Sequence, residues 1–160
     1  MGDIGEFAFK DRLFLRTYRW RRIDPVPHAP LRKPLGDCRV AIVSSAGLVL
    51  PSQEPFDTQI RGGDPSFREI PADTDVSILV DTHRSETFDH ADMRDDPNLV
   101  FPIDRMRELA ERGRIGSVNR RHLSFMGGIT APGRLVKYTA PEAARQLVSD
   151  AVDAALLIPV

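Results

Sequence analysis

Residues 39–50 read RVAIVSSAGLVL, and no other stretch limits the fold as tightly. A continuous apolar run this short, broken by small residues, is the pattern of a strand buried on both faces, which is how parallel sheets are built. The break at Ser44, Ser45, Ala46 and Gly47 predicts a loop opening at the strand's C-terminal end. Open α/β sheets bind ligands at such ends. The two serine hydroxyls and the permissive backbone of Gly47 suit an anion or carboxylate, and the same small residues also suit ordinary close packing. Cys38 precedes the strand, at the opposite end from that crevice, and reads as structural.

The other elements follow from the same local rules. Residues 76–80 read as a second short strand, which delivers Asp81, Thr82, His83 and Arg84 to the same edge as Ser44 and Ser45. Pro102, the spacing of Ile103, Met106, Leu109 and Ala110, and Gly113 just past the end predict a helix over residues 102–112. Its charged residues, with Asp104 and Glu108 relieved by interleaved arginines, form a solvated face. Residues 117–128 hold an apolar strand or turn around Leu123, Phe125 and Met126, closed by Gly127 and Gly128. Thr139 to Glu142 has the form of a capping box, with Ala144, Leu147, Val148 and Ala151 as the buried stripe of a last helix. The chain then turns into ALLIPV, expected as a final buried strand.

Strands alternating with helices or long loops predict a three-layer α/β fold with a mainly parallel sheet, a Rossmann-like or flavodoxin-like half. Residues 35–160 form that domain. Residues 1–34 are set apart as an amphipathic N-terminal helical arm, in which Phe7, Phe9, Leu13, Phe14, Leu15, Tyr18 and Trp20 alternate with basic residues before four prolines stop the helix. The arm either packs on its own domain or oligomer, with snorkelling arginines, or docks on a partner or an anionic surface. Residues 51–75, rich in Pro, Gly and Asp, are expected to hold little regular structure and to drape over the site or a partner.

Composition narrows the function classes. A formal charge of −1 over 160 residues gives no general nucleic-acid footprint. No apolar run reaches the roughly 20 residues of a membrane span, and the N-terminus lacks a signal-peptide core, so a cytoplasmic chain without membrane contact is expected. One cysteine excludes an internal disulfide and a multi-thiolate zinc site.

Candidate chemistry concentrates on residues 82–128, which hold three of the four histidines. Ser44, Ser45, His83, Arg84, Asp89, His90 and His122 are the candidate small-molecule-binding residues, with Asp92 beside them. Histidines titrating near neutrality and arginines such as Arg84, Arg105, Arg120 or Arg121 suit acid–base work or the clamping of a carboxylate. Imidazoles and carboxylates would also serve a divalent metal, although their spacing matches no known metal motif and no metal ligand is assigned. A third reading keeps Asp89, Asp92, Asp95 and Asp96 as caps of turns and of the helix entrance, with His90 and His122 satisfying backbone groups.

The run DDPNLVFPIDRMRELAERGRIGSVNRRHLSFMGG, preceded by the DHAD of Asp89 to Asp92, resembles the selenoprotein B family of glycine, sarcosine, betaine and D-proline reductases. The resemblance extends more weakly over RVAIVSSAGLVL, GDPSFREIP and DAVDAALLIPV. It implies reductive cleavage of a C–N bond in an amino-acid-like substrate, within a homo- or hetero-oligomer. In the family the strand matching ALLIPV leads into a Cys- or selenocysteine-x-x-Cys motif. Here the redox thiol or selenol is expected from outside the sequence, on a Cys- or selenocysteine-bearing segment or partner. No cofactor is expected within the chain, and the resemblance implies a pyruvoyl group on a partner subunit that forms a Schiff base. Two alternatives stand beside this: a non-catalytic binding or assembly subunit that kept the fold, and a metal-assisted hydrolase using the His and Asp cluster.

Overall fold

The computed structural model describes residues 9–19, 22–85 and 90–160, apart from the side chains of Asp11, Phe14 and Leu15. The chain divides into two compact units, Met1–Pro30 and Leu31–Val160. In the first, helix α1 spans Phe9–Thr17 and is closed by Thr17 donating its hydroxyl proton to the Leu13 carbonyl. Phe7 and Trp20, invoked for the N-terminal arm, lie outside the described residues.

The second unit is mixed α/β. Its strands are β1 (Arg39–Ser44), β2 (Leu48–Val49), β3 (Phe67–Pro71), β4 (Val80–Asp81), β5 (Ser117–Val118), β6 (Arg121–Phe125) and β7 (Ala154–Ile158). Its α-helices are α2 (His90–Asp95), α3 (Ile103–Glu111) and α4 (Ala140–Ser149). The main sheet is largely parallel: β1 pairs parallel with β5, β6 and β7, and β3 joins β6 antiparallel. Val40 and Ile42 of β1 pack in one apolar core with Met93, Phe101, Ile103 and Met106. That core explains why residues 40–43 carry no polar side chain before Ser44.

One irregularity positions much of the rest. From Val40 to Val43 on β1, three steps, the partner advances five, from Val118 to Leu123. The partner strand therefore bulges between β5 and β6, and a regular ladder fails there. His122 fills the gap: its Nδ1 accepts the Ile42 backbone N–H at 3.0 Å, its ring is fully buried, and Phe101 stands edge-on at 6.1 Å. An imidazole accepting at Nδ1 is neutral, and burial, with Arg107 nearby, lowers the His122 pKa to about 4. The bulge also gathers charge at the base of the sheet. Asp150, buried, accepts from Arg121 Nε at 2.6 Å, Arg120 Nη2 at 2.8 Å and Asn119 Nδ2 at 3.1 Å, while Arg39 reaches its carbonyl. These donors, Arg121 foremost, hold the Asp150 carboxyl far below the usual carboxylate range.

Helix α3 begins one residue after the expected start, with Pro102 at the cap, and Gly113 takes the left-handed φ of 65° that ends it. Its charged side chains pair along the helix as expected, Arg107 to Asp104 at 2.6 Å and Arg105 to Glu108 at 2.7 Å.

Five expectations are corrected. Residues 76–78 form a 3-10 turn, because the Asp75 carboxylate accepts from the Ser77 N–H and its hydroxyl, and only Val80–Asp81 is strand, antiparallel to β2. The 51–75 stretch contains β3, seeded by the buried Asp64 carboxylate, which turns the chain by accepting from Asp57 N, Ser66 N and Ser66 Oγ. Thr139 is not a cap: the chain is already helical from Leu135 in a π turn, and the Thr139 hydroxyl donates to the Leu135 carbonyl. The stripe of α4 is rotated, with Ala143 buried and Ala144, Val148 and Ala151 exposed. Nor is the last strand buried, since Leu156 and Leu157 face outward.

Both buried polar groups make the fold sensitive to acid. His122 is depressed, so between pH 6.5 and about 4 the unfolded chain takes up a proton that the folded chain refuses. Stability is therefore lost as pH falls, by about 2 kcal/mol at pH 5. Asp150 is also depressed, so its contribution is present above the unfolded carboxylate pKa of about 3.9 and is lost below it. Asp150→Ala strands the buried Asn119 amide and the half-buried Arg121 guanidinium and is expected to cost about 3 kcal/mol, read as a fall in the urea midpoint at pH 7. A change under about 0.5 kcal/mol, typical of a surface substitution, would contradict this network's role.

Candidate functional site

The C-terminal end of β1 is where the polar groups meet. After Ser44 the chain bends through Ala46, which bridges to Met126, and Gly47, whose φ is 69°. A Cβ on Gly47 would stand 3.0 Å from the His83 Cα and backbone N, so the glycine admits the His83 backbone as well as the turn. Thr82 is tied to the same point, with both its N–H and its hydroxyl donating to the Gly47 carbonyl.

His83 is held from every side. Its backbone N–H donates to Asp81 Oδ1 at 2.9 Å, and its Nδ1 accepts the Ser85 N–H at 3.1 Å. The proton of the neutral ring therefore sits on Nε2. That nitrogen lies over Gly127, where a Cβ would come within 2.6 Å of it, 2.9 Å of the Ser45 carbonyl oxygen and 3.0 Å of the Val160 carbonyl oxygen. An imidazole donor and two carbonyl acceptors thus converge on one glycine. Burial pushes the His83 pKa down, which keeps the ring neutral at pH 7.

His90 has the opposite character. Nδ1 meets Asp81 Oδ2 at 2.5 Å and Nε2 meets the Ser85 carbonyl at 2.7 Å, so both ring nitrogens face acceptors. The Ser85 carbonyl and the Asp81 carboxylate hold the proton on the ring and raise its pKa. The two imidazole centroids are 6.2 Å apart. One carboxylate, Asp81, therefore orients His83 through the backbone and His90 through the side chain.

The sequence-derived candidates divide. Ser45 stands with His83 and the chain end: its hydroxyl accepts the Val160 N–H at 2.9 Å, and its backbone N–H donates to the Ile158 carbonyl. Arg84 points the other way, donating to the Ile60 carbonyl at 3.3 Å. Ser44 is turned inward, donating to the Val100 carbonyl at 2.7 Å. His122 lies inside the sheet's apolar core against Ile42 and Phe101. Asp89 lies outside the described residues. Asp96 caps a turn by accepting from Asn98 N. Among the described residues no group of three or more His, Cys, Asp or Glu is placed to hold a metal.

Gly47 and Asp81 are placed at this edge by the sequence but without their roles in seating His83, and Gly127 is not among the sequence-derived site residues. A glycine directly after each loop-forming turn was the available signal, since close approach of another chain segment is what demands a glycine. Beside the site a cavity of about 570 Å³ opens between β1, β6 and β7, lined by Val43, Ser45, Phe125, Gly127, Leu157 and Pro159 among others. Its wall is almost wholly apolar. A small ligand there would rest on hydrocarbon and be oriented by the few polar groups at the rim.

Gly127→Ala must displace the His83 ring, because a 2.6 Å contact is untenable. The expected result is a changed His83 ring resonance with the His90 resonances retained; an unchanged His83 signal would refute the packing. In the native chain, His90 is expected to titrate above the free-histidine value of about 6.5 and His83 below it. For the raised His90, the stabilisation by Asp81 is present below pH 6.5 and fades as pH rises through the folded pKa.

No helix among the described residues is long and apolar enough to cross a membrane. No solved structure matches the chain at a significant level. D-proline reductase subunit gamma of Acetoanaerobium sticklandii is 39% identical over 136 residues, 84% of this chain and 54% of that protein. Sarcosine reductase complex component B subunit beta of Peptoclostridium acidaminophilum is 31% identical, over 90% of this chain and 33% of its own length. Glycine reductase complex component B subunit gamma of Symbiobacterium thermophilum is 28% identical, over 92% and 34%. The chain thus spans between a third and about half of the length of these relatives. Residues 8–159 match the family of glycine/sarcosine/betaine reductase selenoprotein B, and the chain belongs to that family.

Proposed function

We propose that this chain is a component of a reductase complex and forms the substrate-facing α/β half of a reductase that cleaves a C–N bond in an amino-acid-like substrate. The observation that carries the reading is the convergence of His83 Nε2 with the Ser45 and Val160 carbonyl oxygens over Gly127, inside a chain of this family. A donor beside two acceptors suits a ligand that has both a carboxylate and an amine. The Rossmann-like, three-layer arrangement is part of the same proposal, since it puts this set in the crevice where such sheets bind ligands.

Reductive cleavage breaks the C–N bond, adds hydrogen to carbon and nitrogen, and takes two electrons from a thiol or selenol pair. Cys38 is the sole cysteine of the sequence and is buried at the far end of β1, bonded to the Pro34 carbonyl. The redox pair is therefore assigned to a polypeptide segment outside residues 1–160. A pyruvoyl group on a partner subunit would supply a carbonyl that condenses with the substrate amine. This chain's own part is to orient the substrate through His83, hold a proton at Nε2 and, through the apolar cavity wall, exclude water. His90, through its 2.5 Å contact with Asp81, fixes the carboxylate that holds the His83 backbone.

The test is turnover by the complex isolated from its native host through a tag on this chain. With a dithiol and each of glycine, sarcosine, betaine and D-proline, one substrate is expected to yield its C–N cleavage product. His83→Ala is expected to lower kcat/KM by about 100-fold with an unchanged melting temperature, the range lost with a proton-transferring group. No turnover with any of the four substrates would overturn the assignment.

A further inference from the structure

Strand β7 is paired on one side only. Its five residues run parallel to β1 from Val40↔Ala154 to Ser44↔Ile158, and among the described residues no strand lies on its other side. Its composition does not suit an edge. Residues 154–160, AALLIPV, carry no charge, whereas natural edge strands are guarded by lysines, charges, bulges or covering segments. Pro159 is the single guard, and it lies beyond the paired residues. A near-continuous apolar run is instead the signature of a parallel strand with neighbours on both sides.

The face beside that edge is uncovered too. Leu157 is 68% exposed and opens into the apolar cavity, whose other walls include Phe125, Ile129 and Leu135. On α4, which adds Ala140 to the same wall, Val148 is 75% exposed. An unpaired edge and an uncovered apolar face are two separate deficits. A parallel strand with its crossover helix meets both at once, because the strand satisfies the backbone and the helix lies on the face. A twofold copy pairing edge to edge would satisfy the backbone and leave the face beside it open. The family supplies the missing length: the chain is matched over 84–92% of itself, yet spans 54%, 33% and 34% of its relatives.

We propose that the free edge of β7 and the cavity beside Leu157 receive a strand and helix from the portion of the family's length that residues 1–160 do not span. This rests on the open edge and on family membership, not on the redox chemistry of the proposed function.

The experiment places the photo-crosslinker p-benzoylphenylalanine at position 157 of the full chain in its native host, with the same group at the exposed Arg112 position just past α3 as control. After irradiation, the crosslinked peptide is mapped by mass spectrometry. The expected product joins position 157 to an apolar strand or helix that aligns with the relatives outside their matched part. In parallel, Leu157→Lys is expected to weaken retention of that segment about tenfold or more, with the chain's melting temperature unchanged. Leu157→Ser is the second variant, should lysine alter the fold. Crosslinking to a second copy of this chain, or a yield no higher than at position 112, would overturn the proposal. The mapped crosslink supports the docking whether or not the complex turns over a substrate, so failure of the reductase reading and failure of the docking are read separately.

Discussion

The architecture depends on how β1 shares its backbone. One strand of six residues is the common partner of β5, β6 and β7, and the handover from β5 to β6 along one of its sides leaves a gap that a backbone carbonyl does not reach. The His122 imidazole accepts the stranded Ile42 N–H. An unsatisfied N–H at this depth would cost about 1–3 kcal/mol, so the ring is as much a part of the ladder as the strands are. The residues displaced by the bulge, Asn119 and Arg120, then join Arg121 in fixing Asp150 at the end of α4. Strand, bulge and last helix are thereby one mechanical unit.

That unit sets the position of the polar groups at the other end of β1. Because β1 and β7 run parallel in register to Ser44↔Ile158, the Ser45 backbone and hydroxyl reach Ile158 and Val160. The β2–β4 ribbon brings His83 down onto Gly47, and the loop after β6 brings Gly127 beneath its ring. The two glycines act as a socket: one admits the His83 backbone, the other its Nε2. Asp81 then separates two histidines chemically, holding one by its backbone N–H and raising the pKa of the other, with their rings 6.2 Å apart.

Much of this was legible in the sequence because the signals were local. The 39–50 run names β1 and its breaking point, Pro102 and Gly113 bracket α3, and the family resemblance rests on residues that the comparisons match. What was not legible depended on long-range pairing. Nothing local distinguishes His122, which plugs a ladder 80 residues away in sequence from Ile42, from a ligand-binding histidine. Residues 76–80 have strand composition, yet Asp75 captures Ser77 and winds them into a turn. ALLIPV reads as buried because its composition is that of an interior strand, while among the described residues it forms an edge. That mismatch between composition and environment is itself informative, since it marks where the domain expects a neighbour.

The central claim is that this chain works as one part of a larger reductase, with the redox pair held elsewhere. Native mass spectrometry of the untagged assembly from its source, with peptide mapping of every polypeptide, tests it most directly. The expected result is a fixed-ratio assembly in which a sequence bearing a Cys or selenocysteine pair accompanies residues 1–160, on the same polypeptide or on another. An assembly made only of residues 1–160, with no such sequence, would contradict it.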